Sequence, residues 1–214
     1  MMKRPKLMRY ILAMLLICAM VLSVPCMQVS ADTAADNRFN VVIVLDASGS
    51  MKSTDPNGFR YEAISQFTGL LAEQGNVLGG VVFHTEVAAG KAPALITDQA
   101  GKDAVTDTLA SVPSDDGWTN TGAALAEAVE MLRYNGDPNL PSVILFLSDG
   151  NTEMGDKEAT QTSLDMKADA IQAAREAGIQ IYSVCLNANN AADVSEMRQL
   201  AEATGGVFQE VTQA

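Results

Sequence analysis

The chain has 214 residues, with 26 aspartates and glutamates against 14 lysines and arginines, and its formal net charge is −12. This acidic balance argues against nucleic acid and anionic membrane surfaces as partners, because both bind basic patches. The single histidine, His84, argues against a histidine-rich zinc site, and the length suits one domain with a sizeable core.

The N-terminal segment, residues 1–31, has the layout of a secretory signal peptide. Basic residues precede an apolar run at 11–24, and Val29-Ser30-Ala31 offers the small residues of a cleavage site. The run is shorter than the roughly 18 apolar residues expected of a membrane span, and an uncleaved anchor is the alternative. We expect a signal peptide at 1–31, a polar lead at 32–39, and a protein that is secreted or held at the cell surface.

The first predicted strand, residues 40–45, is the most hydrophobic strand in the chain and continues directly into Asp46-Ala47-Ser48-Gly49-Ser50. An apolar run without alternation is typical of a strand that is buried on both faces. One carboxylate and two hydroxyls, with a spacing of two residues, therefore follow the carboxyl end of a buried strand. A turn in which hydroxyls satisfy backbone donors would also explain such a pattern if it stood alone.

Short β-branched runs and amphipathic helical patterns alternate along the rest of the chain. Further strands are predicted at 76–83, 142–147, 179–185 and 207–211, with an edge hairpin strand at 86–97. Helices are predicted at 60–74, 121–133, 163–177 and 194–204, with a weaker helix at 98–110. This alternation predicts an α/β fold. We expect a doubly wound, mostly parallel six-stranded sheet in the order 3-2-1-4-5-6, with one antiparallel edge strand and helices on both faces.

Two further polar loops are expected at the same edge of the sheet. Ser148-Asp149-Gly150 follows the strand at 142–147, and a loop containing Thr119 precedes the helix at 121–133. In doubly wound sheets, ligands bind beyond the carboxyl ends of the strands where the strand order reverses, so Asp46 and Asp149 should face each other there. The oxygen atoms of Asp, Ser and Thr suit a hard cation such as Mg²⁺.

DASGS, the segment Thr119-Asn120-Thr121 and Ser148-Asp149-Gly150, in that order on a doubly wound frame, resemble the von Willebrand factor type A (VWA) domain and its metal-ion-dependent adhesion site (MIDAS). The likeness is to the exported bacterial branch of the family, and it places the domain at 40–214. It implies Mg²⁺, with Mn²⁺ or Ca²⁺ as alternatives.

The resemblance also implies a role for each candidate residue. Ser48 and Ser50 would be direct metal ligands, Asp46 and Asp149 would act mainly through bound waters or hydrogen bonds, and Thr119 would bind directly or through water. Thr121 would then cap the following helix.

The implied function is protein binding and not catalysis. An ion held mostly by hydroxyls and outer-shell carboxylates stays electrophilic, so it can accept an Asp or Glu side chain of a protein ligand. We expect an adhesion or interaction module with no small-molecule substrate and no nucleic acid. It would reach a membrane only through a downstream anchor or an uncleaved signal.

Two other classes of function are open at this stage. A Mg²⁺-dependent hydrolase or phosphatase could use Asp46, although a dehalogenase-like phosphatase needs a second aspartate where Ser48 stands. An intracellular partner of an ATPase could share the fold, and the signal segment argues against it.

Several residues near these loops have two possible interpretations. Asp115 and Asp116 would be an exposed acidic loop or a second metal site, and Trp118 would contact a partner or pack its loop onto the domain. We interpret His84 as a polar strand end away from the switch point, and Cys185 as a buried hydrophobe. The final helix usual in the family has no counterpart after the last strand, so the domain is expected to be truncated there or to leave one sheet face less covered.

Overall fold

The computed structural model of the protein describes residues 38–72, 74–187 and 194–212. The predicted signal peptide and nearly all of the polar lead lie outside these residues, so the domain boundaries stay a prediction. Within the described residues, no helix is both long enough and apolar enough to cross a membrane.

The described residues form six strands and six helices. The strands are β1 (Asn40–Asp46), β2 (Val77–Phe83), β3 (Val87–Leu95), β4 (Ser142–Ser148), β5 (Gln180–Asn187) and β6 (Phe208–Thr212). The helices are α1 (Met51–Thr54), α2 (Phe59–Leu70), α3 (Gln99–Ala110), α4 (Thr121–Asn135), α5 (Lys157–Glu176) and α6 (Ser195–Glu202). The sheet order is β3-β2-β1-β4-β5-β6, with β2 and β3 antiparallel and the other pairs parallel. The predicted fold class and strand order are confirmed.

Strand β1 lies in the middle of the sheet and is buried along its whole length. Val41, Ile43 and Leu45 belong to the core under α2 and α3, whereas Val42 and Val44 belong to the core under α4, α5 and α6. Because side chains alternate between the two faces of a strand, an uninterrupted apolar run fills both cores at once. Parallel pairing with β2 on one side and β4 on the other places the carboxyl end of β1 between these two strands.

The observed helices differ most from the sequence-based expectations in three places. Helix α5 begins at Lys157 and not at residue 163, because the Asp156 carboxylate accepts a hydrogen bond from the backbone N–H of Ala159 (2.8 Å) and caps its first turn. Its first turns are mostly polar and exposed, so apolar periodicity does not show them. Helix α2 ends at Leu70 and not at residue 74, and the single turn α1 was not predicted.

Helices α4 and α5 pack tightly at Gly122, and this contact can be tested by substitution. A methyl group added at Gly122 would lie 2.0 Å from the backbone carbonyl oxygen of Ser163, whereas one added at Gly69 in α2 would meet no atom within 4 Å. We expect Gly122→Ala to lower the free energy of unfolding by about 2 kcal/mol, because α5 has to move away. The matched variant Gly69→Ala should leave stability unchanged or raise it by up to about 1 kcal/mol. Urea unfolding measures both, and equal effects would contradict this packing.

Candidate metal centre

The Asp46 carboxylate is completely buried at the end of β1, and both of its oxygens accept hydrogen bonds. Oδ1 accepts the backbone N–H of Ser48 at 2.7 Å, and Oδ2 accepts the hydroxyl of Ser148 at 2.5 Å. The first bond closes a turn of the kind that aspartate favours, in which the side chain bonds the backbone two residues later. The second joins the ends of the neighbouring strands β1 and β4.

Ser48, Ser50 and Asp149 come together beside this turn. The hydroxyl oxygens of Ser48 and Ser50 are 3.2 Å apart, and the Ser50 hydroxyl donates to Oδ1 of Asp149 at 2.9 Å. The other oxygen of Asp149 accepts the hydroxyl of Thr54, at the end of α1. Ser48 and Asp149 are buried and Ser50 is exposed, so the cluster opens to solvent at Ser50. Thr54 is not predicted from the sequence, because a helix of four residues is too short to show a helical period.

Thr119 is tied to the same edge of the sheet through its backbone. Its N–H donates to the carbonyl of Glu153 at 2.7 Å, and the N–H of Glu153 donates back at 3.1 Å. Glu153 belongs to the loop that begins at Asp149, so this bridge joins the second and third loops of the predicted site. In the part of the chain that the structure describes, hydrogen bonds bring the backbone of Thr119, and not its hydroxyl, into this network.

The loop before Thr119 is also bonded to the loop after β1. The N–H of Gly49 donates to the carbonyl of Gly117 (3.0 Å), and the N–H of Asp115 donates to the carbonyl of Ala47 (3.2 Å). A methyl group at position 49 would lie 3.0 Å from the carbonyl oxygen of Asp115, so glycine is what allows the two backbones to approach this closely. Three loops from different parts of the chain therefore meet at one edge of the sheet.

The N-cap of α4 is Asn120 and not Thr121, which corrects the expectation for this segment. The side-chain oxygen of Asn120 accepts the N–H of Ala123 at 3.1 Å, and Thr121 is buried as the first helical residue. The amide of Asn120 also donates to the carbonyl of Thr85 at 3.0 Å. Both Asn and Thr are good caps, so residue type alone does not distinguish them.

A buried ion pair that the sequence does not predict connects two of the segments around the site. Arg60 and Asp55 are joined at 2.9 Å with both side chains almost fully buried, and Arg60 donates to the hydroxyl of Ser114 at 2.7 Å. Asp55 follows α1 directly, and Ser114 precedes the loop that carries Thr119. The pair therefore links the element that contains Thr54 to the loop that contains Thr119.

The remaining candidates lie at the border of the site. His84 follows β2, and its Nε2 atom is 3.8 Å from Oδ2 of Asp115, so it lies against the Thr119 loop. Asp116 is exposed and pairs with Lys52 at 2.7 Å, as expected of an exposed acidic loop. Cys185 is buried, as predicted, and burial raises the pKa of its thiol to about 12.

Two buried carboxylates in one site carry an electrostatic cost. Burial raises the pKa of Asp46 to about 6, and the negative charge of Asp149 adds to the rise, while hydrogen bonds from Ser148 and Ser48 oppose it. Burial also raises the pKa of Asp149, against hydrogen bonds from Thr54 and Ser50 and the positive charge of Arg60. Either a proton or a cation would relieve the repulsion between the two groups.

The donor atoms fit a hard divalent cation. Adjacent ligands of octahedral Mg²⁺ lie about 3 Å apart when each is about 2.1 Å from the ion, and the hydroxyls of Ser48 and Ser50 have a similar separation of 3.2 Å. Among the described residues, no group of three or more His, Cys, Asp or Glu could hold a metal ion. A metal in this place would therefore depend on hydroxyl oxygens, which favour Mg²⁺ over softer ions.

The raised pKa of Asp46 predicts how the metal-free protein responds to pH. Its pKa of about 6 in the folded protein compares with 3.8 for an unperturbed aspartate. Between these two pH values, the folded protein holds a proton at Asp46 that the unfolded chain has lost. In EDTA, lowering the pH from about 7.5 to about 5.5 should therefore raise the free energy of unfolding by about 1 kcal/mol. Urea unfolding at both pH values measures this rise. Asp46→Asn cannot ionise and should lose it, so an equal rise in the variant would contradict the assignment.

The fold is similar to that of several solved structures. A von Willebrand factor type A protein from Catenulispora acidiphila has a TM-score of 0.62 and 19% identity, covering 81% of this chain and 39% of that one. The conserved hypothetical protein BatB from Bacteroides thetaiotaomicron has a TM-score of 0.59 and 19% identity, covering 82% and 91%. Proximal thread matrix protein 1 from the mussel byssus, with a zinc-occupied MIDAS motif, has a TM-score of 0.51 and 14% identity, covering 82% and 44%. At these identities the similarity is one of fold.

The family is shown by the sequence itself. Residues 40–213 match the family model described as the von Willebrand factor type A domain. No curated protein matches the sequence significantly. The match covers most of the chain and includes all three loops that meet at the sheet edge. The chain therefore belongs to the von Willebrand factor type A family, whose domains are protein-interaction modules that often depend on a metal ion.

Proposed function

We propose that this chain is an exported VWA module that binds a protein ligand through Mg²⁺, with an Asp or Glu of that ligand completing the shell of the ion. One observation carries the proposal: the hydroxyls of Ser48 and Ser50 lie 3.2 Å apart beside Asp149, in a cluster that opens to solvent at Ser50. A cation held there would face outward, towards a partner.

The hydrogen bonds suggest different roles for the hydroxyls and the carboxylates. Both oxygens of Asp46 already accept bonds from Ser48 and Ser148, which suits a residue that orients ligands and supplies charge. Asp149 accepts the hydroxyls of Ser50 and Thr54 in the same way. We assign Ser48 and Ser50 as direct ligands and Thr119 as a ligand that binds directly or through water. Bound Mg²⁺ would supply the positive charge that lets a partner carboxylate approach this acidic protein.

Export and the identity of the ion belong to the same proposal. The basic and apolar pattern of residues 1–31 supports secretion, and the mussel thread matrix protein is an example of this fold in a byssus. Zinc occupies the MIDAS motif of that mussel protein, whereas the oxygen donors of this chain favour Mg²⁺. Mn²⁺, Ca²⁺ and Zn²⁺ are therefore natural comparisons in any metal titration.

The environment of Asp46 also bears on the hydrolase and phosphatase alternative. A nucleophilic carboxylate needs an accessible oxygen, and Asp46 is completely buried with both oxygens engaged. This arrangement supports binding over catalysis, and we propose that the module is not an enzyme.

Metal binding can be tested with two serines that lie three residues apart. Ser50→Ala removes a proposed ligand, whereas Ser53→Ala removes an exposed hydroxyl of α1 whose one hydrogen bond to the described residues is to the carbonyl of Ser50, at 2.8 Å. We expect Ser50→Ala to weaken Mg²⁺ binding at least about tenfold, a loss of about 1.4 kcal/mol. Ser53→Ala should stay within about twofold of the unaltered protein. Isothermal titration calorimetry measures both, and equal Mg²⁺ affinities for the two variants would remove Ser50 from the site.

Dependence of ligand binding on the metal is a separate prediction. Proteins captured from a cell-surface extract in Mg²⁺ should be released by EDTA, and the Asp46→Ala variant should fail to capture them, because both changes remove the ion. Ser53→Ala should capture the same proteins as the unaltered chain. Proteins that stay bound in EDTA would show that the interaction does not use the metal.

A further inference from the structure

We infer that the ligand of this module carries a basic side chain, Lys or Arg, beside the acidic residue that binds the metal. The basic side chain would lie on an exposed surface next to the candidate metal centre. We call this the Trp118 surface and define it as Trp118, Glu153, Met154, Gly155 and Asp156. The inference rests on the proposed function and adds the chemistry of the ligand to it.

Trp118 is held in place but not buried. Its backbone N–H donates to the hydroxyl of Thr85 at 3.0 Å, and a methyl group at Gly155 would lie 2.6 Å from the Cε2 and Cζ2 atoms of its ring. One side of the indole therefore packs on the backbone of residue 155, which has a φ of +81° and favours glycine. Even so, 46% of Trp118 is exposed to solvent. Packing of the loop explains one side of the ring and leaves the rest available to a partner.

The exposed ring lies next to the candidate ligand Thr119. Trp118 precedes Thr119 in the chain, and the backbone bridge from Thr119 to Glu153 brings Met154 and Gly155 alongside Trp118. A ligand residue that reached the metal would place its neighbouring residues over this part of the molecule. The Trp118 surface is therefore continuous with the proposed binding site.

Charged side chains around Trp118 are mostly negative. The exposed carboxylates on the adjoining loops and the start of α5 are Asp115, Asp116, Glu153, Asp156 and Glu158. The amines on the same segments and on α1 are Lys157 and Lys52, and Lys52 is already paired with Asp116. A ligand with only acidic residues would be repelled here, whereas a basic side chain beside the acidic one would be attracted.

An aromatic face among carboxylates is a favourable site for a cation. Lysine and arginine are attracted to the face of tryptophan, and nearby negative charges add to that attraction. A groove that shares Met154 and Asp156 with the Trp118 surface also combines apolar side chains with carboxylates. It has a volume of about 420 Å³ and is lined by Met154 and Met166, together with Asp156 and Glu158. The aliphatic stem of a Lys or Arg would pack on the methionines while its charged end meets the carboxylates.

A displayed peptide library with a central Asp and randomised flanking positions tests the inference. The probe is the full 214-residue chain in Mg²⁺, and a library with a central Asn is selected in parallel. We expect Lys and Arg to be enriched beside the Asp. At saturating Mg²⁺, Trp118→Ala should bind the selected peptides about threefold to thirtyfold more weakly, the range expected for loss of a cation–π contact.

Two further variants separate this surface from general effects. Tyr134 is 76% exposed on α4 at the opposite end from Thr121, so Tyr134→Ala removes an exposed aromatic ring elsewhere and should bind the peptides within about twofold of the unaltered chain. The double variant Glu153→Gln with Asp156→Asn keeps the ring and should reduce the enrichment of Lys and Arg in a new selection. Raising the salt concentration should weaken binding of the selected peptides to the unaltered chain more than to this double variant.

The possible results distinguish the inference from the proposed function. Mg²⁺-dependent selection of Asp peptides without a basic preference, or with apolar flanks only, would overturn the inference and leave metal-dependent binding standing. An unchanged preference in Trp118→Ala and in the double variant would also overturn it. Equal selection of Asp and Asn peptides, or selection that resists EDTA, would overturn the proposed function and the inference together.

Discussion

Burial of two negative charges at the same edge of the sheet is the constraint around which the rest of the site is built. Asp46 and Asp149 lie at the carboxyl ends of neighbouring strands, and both carboxylates are removed from water. Buried charges are costly unless hydrogen bonds and opposite charges compensate them. Hydroxyls and backbone N–H groups approach all four carboxylate oxygens, and the buried guanidinium of Arg60 contributes positive charge. A bound cation would complete a compensation that the protein alone makes only in part.

The sequence predicts the fold and the strand ends at which the candidate residues lie, because one physical signal serves both. Continuous apolar runs identify strands that are buried on both faces, and their order with the helices restricts the sheet to a doubly wound arrangement. Polar residues at the carboxyl ends of two such runs, Asp46 and Asp149, must then lie at the same edge. The structure brings Ser48 and Ser50 to Asp149, and it brings Thr119 to the same edge through its backbone.

The features that the sequence does not predict depend on contacts between distant residues or on very short elements. The sequence pattern predicts Arg60 only as part of an amphipathic helix. Its contact with Ser114 and its buried pair with Asp55 become visible in the folded chain. Thr54 lies on a single helical turn, which has no period to detect. The first turns of α5 are mostly polar and exposed, so they lack the apolar spacing by which a helix is recognised.

The hydrogen bonds between the loop after β1 and the loop before Thr119 join backbone atoms, from Gly49 to Gly117 and from Asp115 to Ala47. The Asp115 carboxylate supports this arrangement by accepting the backbone N–H of Gly117 at 2.6 Å. The two bonds between the loops do not use the side chains of Asp116 and Trp118, which are both exposed. Substitutions at residues 116 and 118 can therefore alter the charge and shape offered to a partner without moving the atoms that would hold the ion. The domain separates the part that must stay constant from the part that can diverge, so one scaffold can acquire new binding partners by changing a few exposed residues.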